Sequence, residues 1–316
     1  MILMSSNKRV PLKTAVYREL DTILPIMLEE GSVFSRISLI AVLNQLKESM
    51  ILKPAYGYGK FVTALTDLNV LKKVKFTLPN HSTTSRYVLI QGIETAVHPF
   101  EIALSLLPNS YLSHYSALFL NDLTNNVPKE IFINREQTKK PVDPQNILTQ
   151  KKIDYAFNRP MRRTNQIASF HYEGREYLVH MLNGKHTGNL GIVNKKAPQL
   201  SRKVRVTNLE RTLIDCVVRP SYSGGPEEIM SAFERAAEDI SVNRLVGYLK
   251  KIDYKYPYQN PIAFYMMANG YKSNSMKLIE DHIDHEFIMY VGYQILNKKH
   301  HLQTNVYYPK NLLPDD

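Results

Sequence analysis

The sequence predicts an α+β protein with two domains, on the basis of its length, its composition and the order of its periodic segments. A chain of 316 residues usually forms more than one hydrophobic core. An apolar share of 44% and a mean hydropathy of −0.28 are typical of a folded globular chain. Helical and strand-like segments alternate along it. We place the predicted domains at residues 1–92 and 93–316.

The first predicted domain consists of three helices followed by a β-hairpin. Apolar residues recur at helical spacing in its first half, and Gly31 stands where a helix would end. Ser32 or Ser35 can cap the second helix. The predicted helices cover residues 14–30, 32 or 35 to 46, and 58–68, and the predicted strands cover residues 70–78 and 85–90 around a polar turn. This order is typical of a winged helix-turn-helix domain.

A winged helix-turn-helix domain reads duplex DNA with the second helix of its turn motif, whose N-terminal residues reach base edges. Basic residues on the wing contact phosphates, which position the protein without specifying a sequence. Strand alternation places Lys73 and Lys75 on one face and Lys72 on the other. A solvated strand face is the alternative for any single lysine. The predicted DNA-binding residues are Tyr56, Tyr58, Lys60, Thr63, Lys72, Lys73, Lys75 and Arg86.

The positive charge of the chain is concentrated in two blocks. The net charge is +11 and the sequence pI is about 9.4. Residues 1–90 carry 12 Lys and Arg against 6 Asp and Glu, and residues 139–219 carry 16 against 6. Two basic blocks predict contact with polyanions, whereas the alternative is an excess that only aids solubility.

The second predicted domain combines a small sheet with several helices. Strands are expected over 167–172, 175–182, 188–193 and 204–206, with a loop-rich stretch over 139–160. Helices are expected over 97–107, 111–121, 209–218, 229–238, 241–252 and 261–269. Five cations near the sheet are predicted to converge on one face, with scattered solubilising charges as the alternative: Arg162, Arg163, Arg202, Lys203 and Arg205.

The helix predicted over 209–218 begins with a polar motif. Thr207 or Asn208 can cap it. Arg211 and Asp215 are four residues apart, so they share a face and can pair. The pair can be functional or structural, and we favour a buried structural network. His114, in the preceding helix, lacks a catalytic partner at a telling spacing and is also predicted to be structural.

The sequence predicts no catalytic site and no metal site. His282 and His285 alternate with carboxylates, but their spacing matches no zinc motif. A metal nuclease, the enzyme alternative, needs a carboxylate cluster with a correctly spaced lysine, and the carboxylates near the sheet lack it. We therefore expect no cofactor and a binding protein instead of an enzyme.

Two stretches resemble the AbiEi family, the antitoxins of bacterial type IV toxin–antitoxin and phage-defence pairs. Residues 206–236 are similar to its core signature, with Arg211 and Asp215 inside the motif. Residues 110–118, which include His114, are similar to the element that opens its C-terminal domain.

The resemblance implies an autorepressor of abortive-infection type that binds inverted repeats in its own promoter. It also implies an AbiEii-like nucleotidyltransferase toxin as the functional partner, without a stable complex. In the AbiEi family a positively charged surface on the C-terminal antitoxin domain is implicated in neutralising the toxin, so the resemblance makes the five cations above candidates for that surface. A stand-alone winged-helix regulator is the alternative.

The compartment is predicted from cysteine usage and from the N-terminus. The single cysteine, Cys216, cannot form an internal disulfide and is expected on the buried side of its helix. Residues 1–9 carry their charges after a short apolar run, which is the wrong order for a signal peptide. No run reaches the length of a membrane span. We expect a cytoplasmic protein that does not contact a membrane.

Overall fold

The computed structural model of the protein describes residues 11–139, 141 and 147–314, and its fold is mixed α+β. The chain forms two compact units that are interleaved in sequence, and this division differs from the predicted boundary after residue 92. The N-terminal unit comprises Met1–Pro108, Ala168–Tyr177 and Lys196–Lys203, and the C-terminal unit comprises Asn109–Ile167, Leu178–Lys195 and Val204–Asp316.

The N-terminal unit begins with helices and continues into a hairpin. Its elements are α1 (Leu12–Arg18), α2 (Leu20–Glu30), β1 (Val33–Phe34), α3 (Arg36–Glu48), α4 (Tyr58–Asp67), β2 (Leu71–Thr77), β3 (Thr83–Leu89) and α5 (Pro99–Leu104). The predicted helix over 14–30 is interrupted at Glu19, which ends α1 and precedes α2. Ser35 caps α3 by accepting a hydrogen bond from the Ser38 amide at 3.2 Å.

The strands of the N-terminal unit are ordered β1–β3–β2, with both pairings antiparallel. The sequence did not predict β1, because two residues are too few to show a period. On the other side of β2, Phe76 pairs with Phe170 of the inserted segment 168–177. Residues of all four first helices fill the core, including the fully buried Phe61 and Leu65 of α4.

The C-terminal unit contains most of the helices and two groups of strands. Its elements are β4 (Tyr111–Leu112), α6 (His114–Leu120), β5 (Glu130–Glu136), α7 (Gln150–Phe157), the start of β6 (Ile167–Tyr172), the end of β7 (Arg175–Gly184), β8 (Ile192–Lys195), β9 (Val204–Thr207), α8 (Leu209–Val218), a 3-10 helix (Pro220–Tyr222), α9 (Pro226–Ala236), α10 (Val242–Ile252), α11 (Gln259–Ala268), α12 (Ser273–Glu280), β10 (Met289–Tyr290), β11 (Lys298–His301), β12 (Val306–Pro309) and a second 3-10 helix (Lys310–Leu312).

The main strands of this unit are ordered β7–β5–β4–β9–β8. β5 runs parallel to β7 and β4 runs parallel to β9, whereas the β4–β5 and β8–β9 pairs are antiparallel. Strands β10, β12 and β11 form a separate sheet near the end of the chain. The helices α8 to α12 pack around a large apolar core, in which Cys216 is fully buried as expected.

Two predicted elements of this unit were wrong. Residues 111–121 do not form one helix, because Tyr111 and Leu112 pair as a strand with β5 and β9 before α6 begins. The loop-rich stretch 139–160 contains α7, which Thr149 caps and whose Ile153 and Phe157 are buried. Polar composition concealed this helix because only its two buried residues belong to the core. Residues 140 and 142–146 of that stretch lie outside the described part of the chain.

Among the described helices, none is long and apolar enough to cross a bilayer. The N-terminal stretch 1–9, on which the signal-peptide prediction depends, lies outside the described residues.

Candidate nucleic-acid interface

Helix α4 presents a small polar face to solvent. Gly59, Lys60 and Thr63 are exposed, whereas Phe61 and Leu65 on the opposite side are fully buried. A side chain built on Gly59 would meet nothing within 4 Å. This face is therefore open and can approach a large ligand without displacing any neighbour.

The hairpin β2–β3 carries two exposed lysines on one face. Lys73 pairs with Tyr87, and Lys75 pairs with Ser85, so all four side chains lie on the same side of the sheet. Leu71 shares this face at its inner end and belongs to the core that α4 also lines. The lysines thus continue outward along the side of the hairpin that packs against the helices, as strand alternation predicts.

Tyr58 links α4 to this hairpin and to α3. It is half-buried against the core, and the Arg36 guanidinium carbon lies 5.4 Å from its ring centroid. Burial raises the pKa of Tyr58, and the neighbouring Tyr87 phenol, with which it forms a hydrogen bond, raises the pKa further. Tyr56 is also half-buried against the same core. Both tyrosines therefore position α4, and the exposed Lys60 and Thr63 remain its free polar contacts.

Lys72 and Arg86 lie on the opposite face of the hairpin from Lys73 and Lys75. Lys72 contacts Glu173 at 2.6 Å. The half-buried Arg86 guanidinium donates to the Ser105 carbonyl at 2.9 and 3.1 Å, and burial lowers its pKa. Both contacts are internal to the unit. Arg86 is half-buried by its contact and has a structural role, whereas the Lys72–Glu173 pair is exposed, so Lys72 stays a predicted DNA contact.

Sequence reasoning missed Arg36 and Tyr87 as neighbours of Tyr58. Arg36 is the first residue of α3, directly after the Ser35 cap, and this position could have indicated it. The proximity of Tyr87 depends on strand register, for which the sequence offers no comparable signal.

The five cations of the predicted antitoxin surface are divided between the two units. Arg162 and Arg163 are exposed beside the 3-10 helix, where Arg163 donates to the Ser221 carbonyl at 2.9 Å. Arg205 of β9 donates to the Asn109 carbonyl at 2.6 Å. Arg202 and Lys203 are exposed residues of the N-terminal unit.

A buried charged cluster occupies the N-terminal half of α8. Arg211 Nε donates to Asp215 Oδ1 at 2.8 Å, and the two side chains are only 3% and 6% exposed. Arg211 Nη1 donates to Thr187 Oγ1 and to the Leu190 carbonyl at 3.0 and 2.9 Å. Asn208 caps the helix by accepting from the Arg211 amide at 3.1 Å. The pair therefore joins α8 to the β7–β8 connection.

Glu136 at the end of β5 completes this cluster. Its carboxylate accepts from the Thr187 amide at 2.8 Å, from the Thr187 hydroxyl and from the Asn189 amide. Burial favours the protonated carboxyl, but these hydrogen bonds and the Arg211 charge outweigh it, so the pKa of Glu136 is lowered. No periodic pattern connects Glu136 to Arg211 in sequence, and the tertiary fold alone brings them together.

His114 is a buried structural residue. Its Nδ1 lies 2.8 Å from Ser113 Oγ, and its ring meets Tyr222 edge-on at 5.5 Å between centroids. Burial lowers the pKa of His114 to about 4. The imidazole is therefore neutral in the folded protein near neutral pH. The φ of 51° at His114 lies in the left-handed region, which is uncommon for residues other than glycine, although histidine, like asparagine and aspartate, adopts it more often than most.

Two further histidines near the C-terminal strands, His300 and His301, have local polar partners. His300 Nε2 lies 3.0 Å from Asn305 Oδ1, and His301 Nδ1 lies 2.9 Å from Thr304 Oγ1. Asp284 accepts from the Glu286 and Phe287 amides. Within residues 11–139, 141 and 147–314, no three His, Cys, Asp or Glu side chains are grouped so that they could hold a metal ion.

Comparison with known proteins supports the fold and leaves function open. The chain is similar to the crystal structure of the RV2827C protein from Mycobacterium tuberculosis, with a TM-score of 0.53 and 13% sequence identity. The similarity covers 96% of this chain and 93% of that chain. At this identity the likeness concerns the fold alone. No protein-family model matches the chain, and no curated protein matches it.

We expect Arg211→Ala to lower the free energy of unfolding by about 3–5 kcal/mol, because it leaves buried carboxylates without their counter-charge. The control is Lys272→Ala, which removes an ion pair with Glu238 whose side chains are 77% and 79% exposed. The control should change stability by about 1 kcal/mol or less. Urea unfolding measures both, and equal losses in the two variants would contradict the cluster's structural role.

The buried neutral His114 predicts a stability loss on acidification. Its pKa is lower in the folded state, so the unfolded chain binds more protons between pH 6.5 and about 4, and stability falls as pH falls through this window. The contribution is about 3 kcal/mol. His114→Asn tolerates the positive φ and should lose that part of the dependence. Unfolding free energies at pH 7 and pH 4.5 for both proteins test this, and parallel pH profiles would refute it.

Proposed function

We propose that the protein is a DNA-binding antitoxin of a type IV toxin–antitoxin system, which represses its own promoter and counters a co-encoded nucleotidyltransferase-like toxin. The DNA-binding part is argued from the N-terminal unit. The antitoxin part is argued from the resemblance of residues 110–118 and 206–236 to the AbiEi family. We place this function in the cytoplasm.

The observation that carries DNA binding is the topology of the N-terminal unit together with its exposed cations. Helices α3 and α4 follow each other, and the strands are ordered β1–β3–β2 around the hairpin that succeeds them. This arrangement supports a winged helix-turn-helix with α4 as the recognition helix and β2–β3 as the wing. Gly59, Lys60 and Thr63 leave the exposed face of α4 open to base edges.

The wing supplies the phosphate contacts in this proposal. Lys73 and Lys75 share the hairpin face that adjoins the helical core, and both are exposed. Arg36 adds a cation at the start of α3 beside Tyr58. Lys60, Lys73, Lys75 and Arg36 can therefore neutralise phosphates on either side of a groove that α4 enters. We propose double-stranded promoter DNA, in inverted repeats, as the ligand.

The C-terminal unit supplies the antitoxin surface in this proposal. Arg162, Arg163 and Arg205 are its candidate residues, since Arg202 and Lys203 belong to the N-terminal unit. The family motif itself is internal: Asn208, Arg211 and Asp215 hold α8 in place. We therefore assign the motif to the scaffold of the antitoxin unit and the arginines to its contacts. A stable complex with the toxin is not required.

Gly59→Glu should abolish specific binding to the DNA upstream of the gene, because it places a carboxylate on the open face of α4 without a steric clash. Lys73→Glu with Lys75→Glu should weaken binding at least tenfold. Replacing the two lysines by alanine should lower the slope of log affinity against log salt by about 0.9 for each lost phosphate contact.

The control for this experiment is Lys277→Glu, which makes a single lysine-to-glutamate change at an exposed position of α12. It should bind DNA like the wild type. Fluorescence anisotropy with the upstream duplex and with a scrambled duplex measures specific and non-specific affinity. Wild-type affinity in the folded Gly59→Glu variant would overturn the assignment of α4.

The antitoxin proposal predicts that the full chain rescues growth when the adjacent gene product is toxic. Gly59→Glu, expressed from an independent promoter, should rescue equally well, whereas Arg162→Ala with Arg163→Ala should rescue poorly. The full chain is needed because residues 168–177 and 196–203 belong to the N-terminal unit, and a fragment that starts near residue 95 would separate Phe170 from Phe76. A harmless neighbour, or a toxic one without rescue, would leave a stand-alone regulator.

A further inference from the structure

A basic ridge runs along α7 and the segment that follows it in the C-terminal unit. We define it as Lys151, Tyr155, Arg159, Arg162 and Arg163, all of which are exposed. Residues 151–163 contain five Lys and Arg and one carboxylate, Asp154. A solvent-exposed helix stabilised by salt bridges usually alternates charges of both signs, whereas this segment is almost entirely positive.

The aromatic residue of the ridge, Tyr155, is exposed and contacts Arg159. Tyr155 is 61% exposed, and the Arg159 guanidinium carbon lies 3.8 Å from its ring centroid. The guanidinium therefore covers one face of the phenol ring, and the two groups form a stacked, positively charged pair that we call the platform. A base stacks on such a platform because its π face interacts with both an aromatic ring and a guanidinium plane.

The arginines beyond this platform are fixed by the main chain. Arg163 donates to the Ser221 carbonyl at 2.9 Å, and Arg219 donates to the Arg162 carbonyl at 3.4 Å. Arg219 is also exposed, so the guanidinium groups of Arg163 and Arg219 lie beside the 3-10 helix Pro220–Tyr222 and next to the main chain of Arg162. Fixed guanidinium groups lose less freedom when they bind phosphate, and their planar donors match its oxygens.

The neighbouring carboxylates have other contacts. Asp154 accepts hydrogen bonds from Gln150 and from the Tyr290 hydroxyl at 2.7 and 2.9 Å. Glu130 lies 2.8 Å from Nε2 of the buried His180. Among the described residues, His180 Nδ1 is buried without a hydrogen-bond partner, and the charge of Arg163 acts on this ring. The five Lys and Arg of residues 151–163 and Arg219 outnumber these two acids, so the ridge keeps a positive surface.

We propose that this ridge binds single-stranded nucleic acid, with a base on the Tyr155–Arg159 platform and phosphates on Arg162, Arg163 and Arg219. A duplex is disfavoured because its base faces are already stacked, whereas an unpaired base can reach the platform. The inference deepens the antitoxin surface and rests on the proposed function only for its biological role. Binding itself needs neither the toxin nor the promoter.

The test is fluorescence anisotropy of the full-length protein with a labelled 20-nucleotide RNA of unstructured sequence, with the matching single-stranded DNA, and with the duplex. Tyr155→Ala should weaken RNA binding about fivefold or more, and Tyr155→Phe should bind like the wild type because it keeps the ring. Arg162→Ala with Arg163→Ala should lower the salt slope by about 0.7 for each lost contact.

Two controls separate this ridge from the α4 surface. Gly59→Glu should keep wild-type affinity for the single strand, and Lys277→Ala, which removes one exposed charge elsewhere in the same unit, should do the same. Equal RNA affinity of folded Tyr155→Ala and wild type, or no binding by the wild type, would overturn the inference. Tighter binding of the duplex, reduced by the ridge variants, would also overturn it. If any of these outcomes occurs and the full chain still rescues growth, the antitoxin proposal stands without the single-strand inference.

Discussion

The C-terminal unit depends on one buried ion pair, between Arg211 and Asp215, at the start of its central helix. The Arg211 side chain is only 3% exposed, so burial removes the water that would solvate its charge. Hydrogen bonds from Nε and Nη1 to buried acceptors compensate for this loss. Asp215, Thr187 and the Leu190 carbonyl provide those acceptors. Because they come from α8 and from the connection between β7 and β8, the position of each element constrains the other.

The same constraint fixes the geometry of that connection. Glu136 gathers the Thr187 and Asn189 amides and thereby ties the end of β5 to the segment that covers Arg211. Gly191, with a φ of +73°, lies so close to Arg211 and Tyr248 that a Cβ there would approach their side-chain carbons to 2.7 and 2.9 Å. Only glycine combines this left-handed backbone with this close approach. The charge of Arg211, the hydrogen bonds of Glu136 and the backbone conformation of Gly191 thus all constrain the β7–β8 connection.

The two proposed nucleic-acid surfaces are built in different ways. The α4 surface relies on a helix with one apolar face, so Phe61 and Leu65 hold it while Gly59, Lys60 and Thr63 remain open. The ridge relies on side chains that fix one another, through the Arg159–Tyr155 contact and the main-chain bonds of Arg163 and Arg219. The first arrangement suits a groove, in which a rigid helix is inserted. The second suits a flexible strand, whose bases and phosphates can be placed separately.

The sequence by itself determined the α+β class, the helices α3, α4 and α8, the hairpin, and the opposite faces of Lys72 and Lys73. These features follow from local rules, because capping, helical period and strand alternation act over a few residues. Tertiary structure decided the rest. Arg86 had a suitable charge for the wing, but its guanidinium donates to the Ser105 carbonyl, and Lys72 forms an ion pair with Glu173. The sequence could not predict these contacts, because a strand has two faces and only the fold shows which residues lie against each. Segment 168–177 joined the N-terminal unit through Phe170, and Glu136 met Thr187 beside Arg211. Such long-range contacts depend on register and packing between segments that no local pattern connects.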